Sequence, residues 1–157
     1  MKVIITSTPE VELELINFVC EILSASIGPI SFQKAEPVNS MKEMKMNTFV
    51  LTSDELFSIC SINRDANNLE DQDFLVLLTS IKTPEDWLSF SNGDIRDFVV
   101  DTNDWDEYSN IDSKFGIAHQ IVASIFHSFV KYSTVGILDE NSTHKRSVGC
   151  LMDYCDE

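Results

Sequence analysis

Five consecutive apolar residues, Phe74-Leu75-Val76-Leu77-Leu78, limit the fold more than any other feature of the sequence. The run lies between polar stretches and is too short for a core helix. Nothing in it alternates, so a strand built from it must be covered on both faces. A sheet buried on both sides needs helices above and below it, which points to an α/β arrangement.

The rest of the chain supplies parts for that arrangement. Val3-Ile4-Ile5 reads as a first buried strand. A helix is expected from Ser7 or Thr8, with Pro9 at its first position and Glu10 and Glu12 in its first turn. Val11, Leu15, Phe18, Val19, Ile22 and Leu23 form its apolar stripe, and Gly28-Pro29 ends it. Ile30 to Gln33 alternates as a second strand. Residues 34–47, with Met41, Met44 and Met46, read as a polar connection folding over the sheet. Thr48 to Leu51 reads as a third strand. Thr52 and Glu55 match a capping box that opens a short helix to about Ile62. After the Phe74 run, residues 82–94 read as a loop with an Asn92-Gly93 turn. Ile95 to Thr102 reads as the last strand. Asp112 or Ser113 caps a final long helix to about Tyr132, with Ile117, Ile121, Val122, Ile125, Phe126 and Phe129 as its stripe. The expectation is one domain over residues 1–157, of α/β (α+β) class. It holds a mixed, twisted sheet of about five strands, flanked by two long helices and one short helix.

Composition narrows the function classes. At 157 residues and 43% hydrophobic content, ten of them Phe, the chain can bury a core without disulfides. No apolar run reaches the roughly 18 residues of a membrane span. Met1-Lys2-Val3-Ile4-Ile5 begins as a strand and lacks the long apolar segment of a signal peptide, so the expected compartment is the cytoplasm. With 26 acidic and 11 basic residues the net charge is −15, which repels a phosphate backbone and argues against direct nucleic-acid binding. The charge suits a solubilising surface, or docking onto a basic partner as a mimic of nucleic acid would. Cys20 and Cys60 fall within apolar-periodic segments and read as packed core residues. Cys150 and Cys155 have C-x4-C spacing, a weak metal signal. Asp101-x-Asn103-x-Trp105, with Asp112 at the twelfth position, lacks the glycine of a calcium loop and puts Trp at a ligand position. It reads as an acidic loop and helix cap.

Metal chemistry centres on Ala118-His119-Gln120-Ile121-Val122-Ala123 in the last helix. A zinc-peptidase helix reads H-E-x-x-H: two His one turn apart reach one metal, and the Glu activates its bound water. His119 stands at the first ligand position. Gln120 stands where the Glu would be, and an amide takes no proton from water at neutral pH. Ala123 stands at the second His and has no donor atom. His127 lies eight residues along the helix, about 12 Å away, and cannot substitute.

Downstream, His144-Lys145-Arg146-Ser147-Val148-Gly149-Cys150-Leu151-Met152 gives H-x5-C-x-M. With the order of upstream elements, these residues resemble the archaemetzincin branch of the metzincin metallopeptidases. There a third-ligand His precedes H-C-x4-C-x-M, and the Met makes a turn beneath the metal. His144, Cys150 and Met152 fall at matching offsets, and Lys145 replaces the first Cys. The resemblance implies a metzincin-like N-terminal half and a zinc site. It makes His119, His144, Cys150 and Cys155 the candidate metal residues. The departures are Gln120, Ala123 and the spacing: 20 residues separate Ala123 from His144, where the family has six. The family also runs on past the Met to further cysteines, so this chain, ending at Glu157, is expected to be natively short or truncated.

Three functions follow as expectations. The first is a non-catalytic, acidic protein-binding or regulatory module on a degenerate metallopeptidase-like scaffold, acting within a larger assembly and needing no cofactor. The second is a zinc-dependent hydrolase with an atypical site and one zinc ion. The third is an acidic inhibitor that mimics nucleic acid.

Overall fold

The computed structural model describes residues 1–36, 50–83, 88–94, 96–105 and 112–133. In chain order the elements are β1 (Lys2–Ser7), α1 (Leu13–Ser24), β2 (Ser31–Lys34), α2 (Ser53–Ala66), β3 (Phe74–Thr79), β4 (Ser89–Ser91), β5 (Asp97–Asp101) and α3 (Ser113–Ser133). The five strands form one mixed sheet in the order β2-β1-β3-β5-β4. β1 runs parallel to β2 and β3, β3 parallel to β5, and the edge strand β4 antiparallel to β5.

The expected central strand is central. All six residues of β3 are buried, and it lies between β1 and β5. From β1 the chain steps outward to β2, then returns across β1 to β3. Because parallel crossovers are right-handed, this reversal puts α1 and α2 on opposite faces. Alternate residues of the strands serve the two layers. Val3, Ile5, Phe74, Val76, Leu78, Phe98 and Val100 pack with Ile16, Val19 and Leu23 of α1 and Ile117, Ile121 and Ile125 of α3. Ile4, Leu75, Leu77 and Val99 pack with Leu56, Ile59 and Cys60 of α2.

Local signals explain the element ends, and some correct the sequence reading. α1 begins at Leu13, five to six residues later than expected. Ser7 still belongs to β1, and Thr8 N–H donates to Leu78 O at 2.9 Å, prolonging the sheet ladder. Pro9 and Glu10 then lie in a turn. The capping box holds: Glu55 N–H donates to Thr52 Oγ1, and the Thr52 N–H donates to the Glu55 carboxylate at 2.8 Å. The helix it opens has 14 residues and outruns α1, so it is not the short one. The strand expected over 48–51 is absent from the described part of that stretch, where Val50 makes a single parallel bridge to Lys82. The fifth strand is β4, inside the segment read as a loop. Asp112 does cap α3, its carboxylate accepting Lys114 N–H at 3.0 Å. The Met41, Met44 and Met46 connection lies outside the described residues, apart from its first three positions. No helix among the described residues is long and apolar enough to cross a membrane.

The end of the sheet where β3 and β5 begin is tied together by Arg64. Its guanidinium donates to Asp97 Oδ1 at 2.9 Å, to Asp73 O at 3.2 Å and to Glu70 O at 2.8 Å. Asn92 donates to the other Asp97 oxygen at 2.9 Å. Asp73 in turn accepts the backbone N–H groups of Lys2 and Glu70. Burial pushes the Asp97 carboxyl above its ordinary range, and the Arg64 charge only partly offsets this. At Asp73 burial acts the same way, but the two N–H groups and the charge of Lys2 outweigh it and hold the carboxyl below its ordinary range.

Candidate functional site

The candidate site lies along one flank of α3. Gly116, Gln120 and Ala123 are spaced i, i+4, i+7 and therefore share that flank. All three are buried. What each one meets decides what the helix can do.

Gly116 meets Trp105. The indole is 2% exposed and its Nε1 donates to Asp101 O at 2.7 Å. Asp101 also holds Asn103, accepting its backbone N–H at 2.7 Å and its side-chain amide at 2.8 Å. These bonds turn the chain sharply after β5 and lay the indole on the helix. A Cβ at position 116 would sit 2.6 Å from Trp105 Cε3, so the contact requires glycine. The acidic loop of the sequence reading is thus an anchor for Trp105, with ordered partners on Asp101.

Gln120 meets the edge strand. Its Nε2 donates to Ser89 Oγ on β4 at 2.6 Å, and the residue is 7% exposed. Gln120 Oε1 is buried with no hydrogen-bond partner. The Gln120 side chain is therefore a neutral amide fixed by its own donor. Sequence reasoning missed Ser89, because a three-residue strand with small polar ends carries no alternation long enough to read.

Ala123 is 1% exposed. Its methyl is packed into the interior and carries no donor atom. His119 is half-buried and lies on the adjoining, outer side of the helix. His127 is exposed. Of the sequence-predicted metal residues, His119 is described, whereas His144, Cys150 and Cys155 lie outside the described residues. Among the described residues no group of three His, Cys, Asp or Glu side chains is placed to hold a metal ion. α3 offers one donor where an H-E-x-x-H helix offers two and a base, so this helix does not fit zinc ligation of that kind.

The two remaining described cysteines are core residues, as read. Cys60 is fully buried on the inner side of α2, and burial with the nearby Asp97 charge pushes its thiol above the ordinary range. Burial raises Cys20 as well.

No family model matches this sequence. No curated protein matches it either. Among solved structures the chain is similar to the crystal structure of archaemetzincin from Methanopyrus kandleri. The TM-score is 0.54 at 13% identity, over 98% of this chain and 81% of that one. The likeness is one of fold: this chain shares the α/β architecture of that structure.

Proposed function

We propose that this chain is a non-catalytic, acidic protein-binding or regulatory module, built on a metallopeptidase-like scaffold and working within a larger assembly. The observation that carries the reading is the state of two helix positions. Gln120, at the base position, is an amide bonded to Ser89 at 2.6 Å. Ala123, at the second ligand position, is a sealed methyl. Hydrolysis by a zinc-bound water needs a proton acceptor and a third ligand, and α3 offers neither.

The charge supports a basic protein as partner. Arg64 is committed to Asp97, Lys34 to Glu36, Lys82 to Asp104 and Lys114 to Glu14. Lys114 also lies over the Phe18 ring and Arg96 over the Phe74 ring. The net charge of −15 leaves the chain a carboxylate surplus to draw such a partner. A partner bound this way associates more slowly as salt is added.

Zinc loading of the purified full chain tests the reading. After dialysis the chain is expected to keep no stoichiometric zinc and to leave denatured casein uncut. One zinc held per chain, lost in His119→Ala, would overturn the proposal in favour of a zinc-dependent hydrolase with an atypical site.

A further inference from the structure

Asn92-Gly93 follows β4 on the way to β5, and the pair carries chemistry of its own. Asn92 is the one asparagine of the chain that precedes a glycine. Gly93 has no side chain to hinder its backbone nitrogen. It is exposed, and a Cβ there would meet nothing within 4 Å. Such a nitrogen can attack the carboxamide carbon of the residue before it. Here that carboxamide is held. Asn92 Oδ1 accepts the N–H groups of Arg96 at 3.2 Å and Asp97 at 3.3 Å. Its Nδ2 donates to Asp97 Oδ2 at 2.9 Å. The Asn92 N–H donates to Asp97 O at 3.1 Å. Asp97 is itself buried and fixed by Arg64. These bonds fix the plane of the amide and aim it at residues four and five positions on. Attack by the Gly93 nitrogen needs the side chain to turn onto the neighbouring peptide instead, which breaks them.

We propose that Asn92 is a latent modification site, kept closed by its bonds to Asp97 and converted to aspartate or isoaspartate when β4 parts from β5. The Gly93 nitrogen gives its proton to solvent and bonds to Asn92 Cγ, and Nδ2 leaves as ammonia. Water then opens the resulting cyclic imide at either of its carbonyls. One water enters, one ammonia leaves, and no electrons change hands. The change runs one way and unmakes the turn that delayed it. A carboxylate oxygen then stands where Nδ2 donated to Asp97, so a hydrogen bond becomes two facing carboxylates. Asp94 already sets a negative charge near Asp97. Isoaspartate also adds a carbon to the backbone beside the Ser91–Phe98 pair and misaligns it. β4 carries Ser89, the acceptor of Gln120, so loosening the strand reaches the flank of α3. The inference is independent of the proposed function.

Peptide mapping by mass spectrometry tests it, on the full chain incubated at mildly alkaline pH. Three bonds hold the amide, so conversion at Asn92 is expected to be at least roughly 100-fold slower in the folded chain than in the chain unfolded in urea. Gly93→Ala is expected to suppress conversion in urea. Asp97→Ala removes the acceptor of Nδ2 and is expected to speed conversion in the folded chain about tenfold. A second measurement needs no substitution, in case Asp97→Ala fails to fold. In the parent, urea added below the unfolding transition is expected to raise conversion in step with hydrogen exchange at the Asn92 N–H. Conversion in the folded chain at or above the unfolded rate, or none in urea, would sink the idea. So would undiminished conversion in Gly93→Ala, or conversion that ignores both Asp97→Ala and the opening of the Asn92 N–H.

Discussion

The Gln120 side chain hangs on Ser89: its amide donates across to the β4 hydroxyl at 2.6 Å, joining the last helix to the edge of the sheet. Ser89→Ala strips a nearly buried amide of its acceptor, at a cost of about 1–3 kcal/mol. Urea titration of the parent and variant reads the loss. The double variant Ser89→Ala/Gln120→Met replaces both polar partners and is expected to recover part of it. A double variant whose loss equals the sum of both singles would show that the two side chains do not act as a pair.

Trp105 and Gly116 make the second prediction. Gly116→Ala drives a methyl to 2.6 Å from the indole, and overpacking of this kind costs about 1–3 kcal/mol. The gain in helix propensity, about 1 kcal/mol at most, offsets only part of that. Gly28 is the control, since nothing lies within 4 Å of a Cβ there. Gly28→Ala is expected to hold or raise stability by up to about 1 kcal/mol. Thermal melts that shifted the same way for both variants would remove the steric argument.

Asp97 and Asp73 predict opposite pH dependences. The Asp97 carboxyl is raised in the folded state, so its contribution is whole below the ordinary carboxylate range, near pH 3.9, and is lost as pH rises through the folded value. Asp97→Asn removes that loss, so its stability falls less than the parent's as pH rises. Asp73 is lowered, so its contribution is present above the ordinary range and lost as pH falls. Asp73→Asn is therefore expected to flatten acid lability. Arg64→Met leaves Asp97 buried without its cation and costs about 3–5 kcal/mol, more at neutral than at acid pH. Denaturant stability measured across the acid range separates these signs.

Cys60 should be inert in the folded protein. It is wholly buried and its thiol is held protonated, so the nucleophilic thiolate is scarce and sealed in. A thiol reagent is expected to label Cys60 at the rate of global unfolding. Labelling faster than unfolding would mean that α2 opens locally.

Much of this was readable because particular residues signal strongly. The Phe74–Leu78 run could only be a strand covered twice, and Thr52 with Glu55 announced a helix start that the bonds confirm. The failures have physical causes. Thr8-Pro9 looks like a helix opening, yet the Thr8 N–H was already claimed by Leu78 O across the sheet. β4 is three residues long and exists through its pairing with β5, a contact far too slight in sequence to see. At the site, Gln120 and Ala123 could be read as missing chemistry, but their packing could not. That Gln120 leans on Ser89, and that Gly116 yields to Trp105, depends on tertiary neighbours 31 and 11 positions away.

The place of β1 in the sheet has a bearing on how the molecule comes into being. Val3 lies opposite Phe74, so the strand that starts the chain waits for a partner 71 positions on. At about 5–20 residues per second on the ribosome, that wait lasts several seconds. Until then the described strand neighbour of Val3-Ile4-Ile5 is the short, half-exposed β2, with α1 over one face. Non-local pairing of this kind slows the search for the native state, and the acidic surplus would keep such waiting chains from meeting one another.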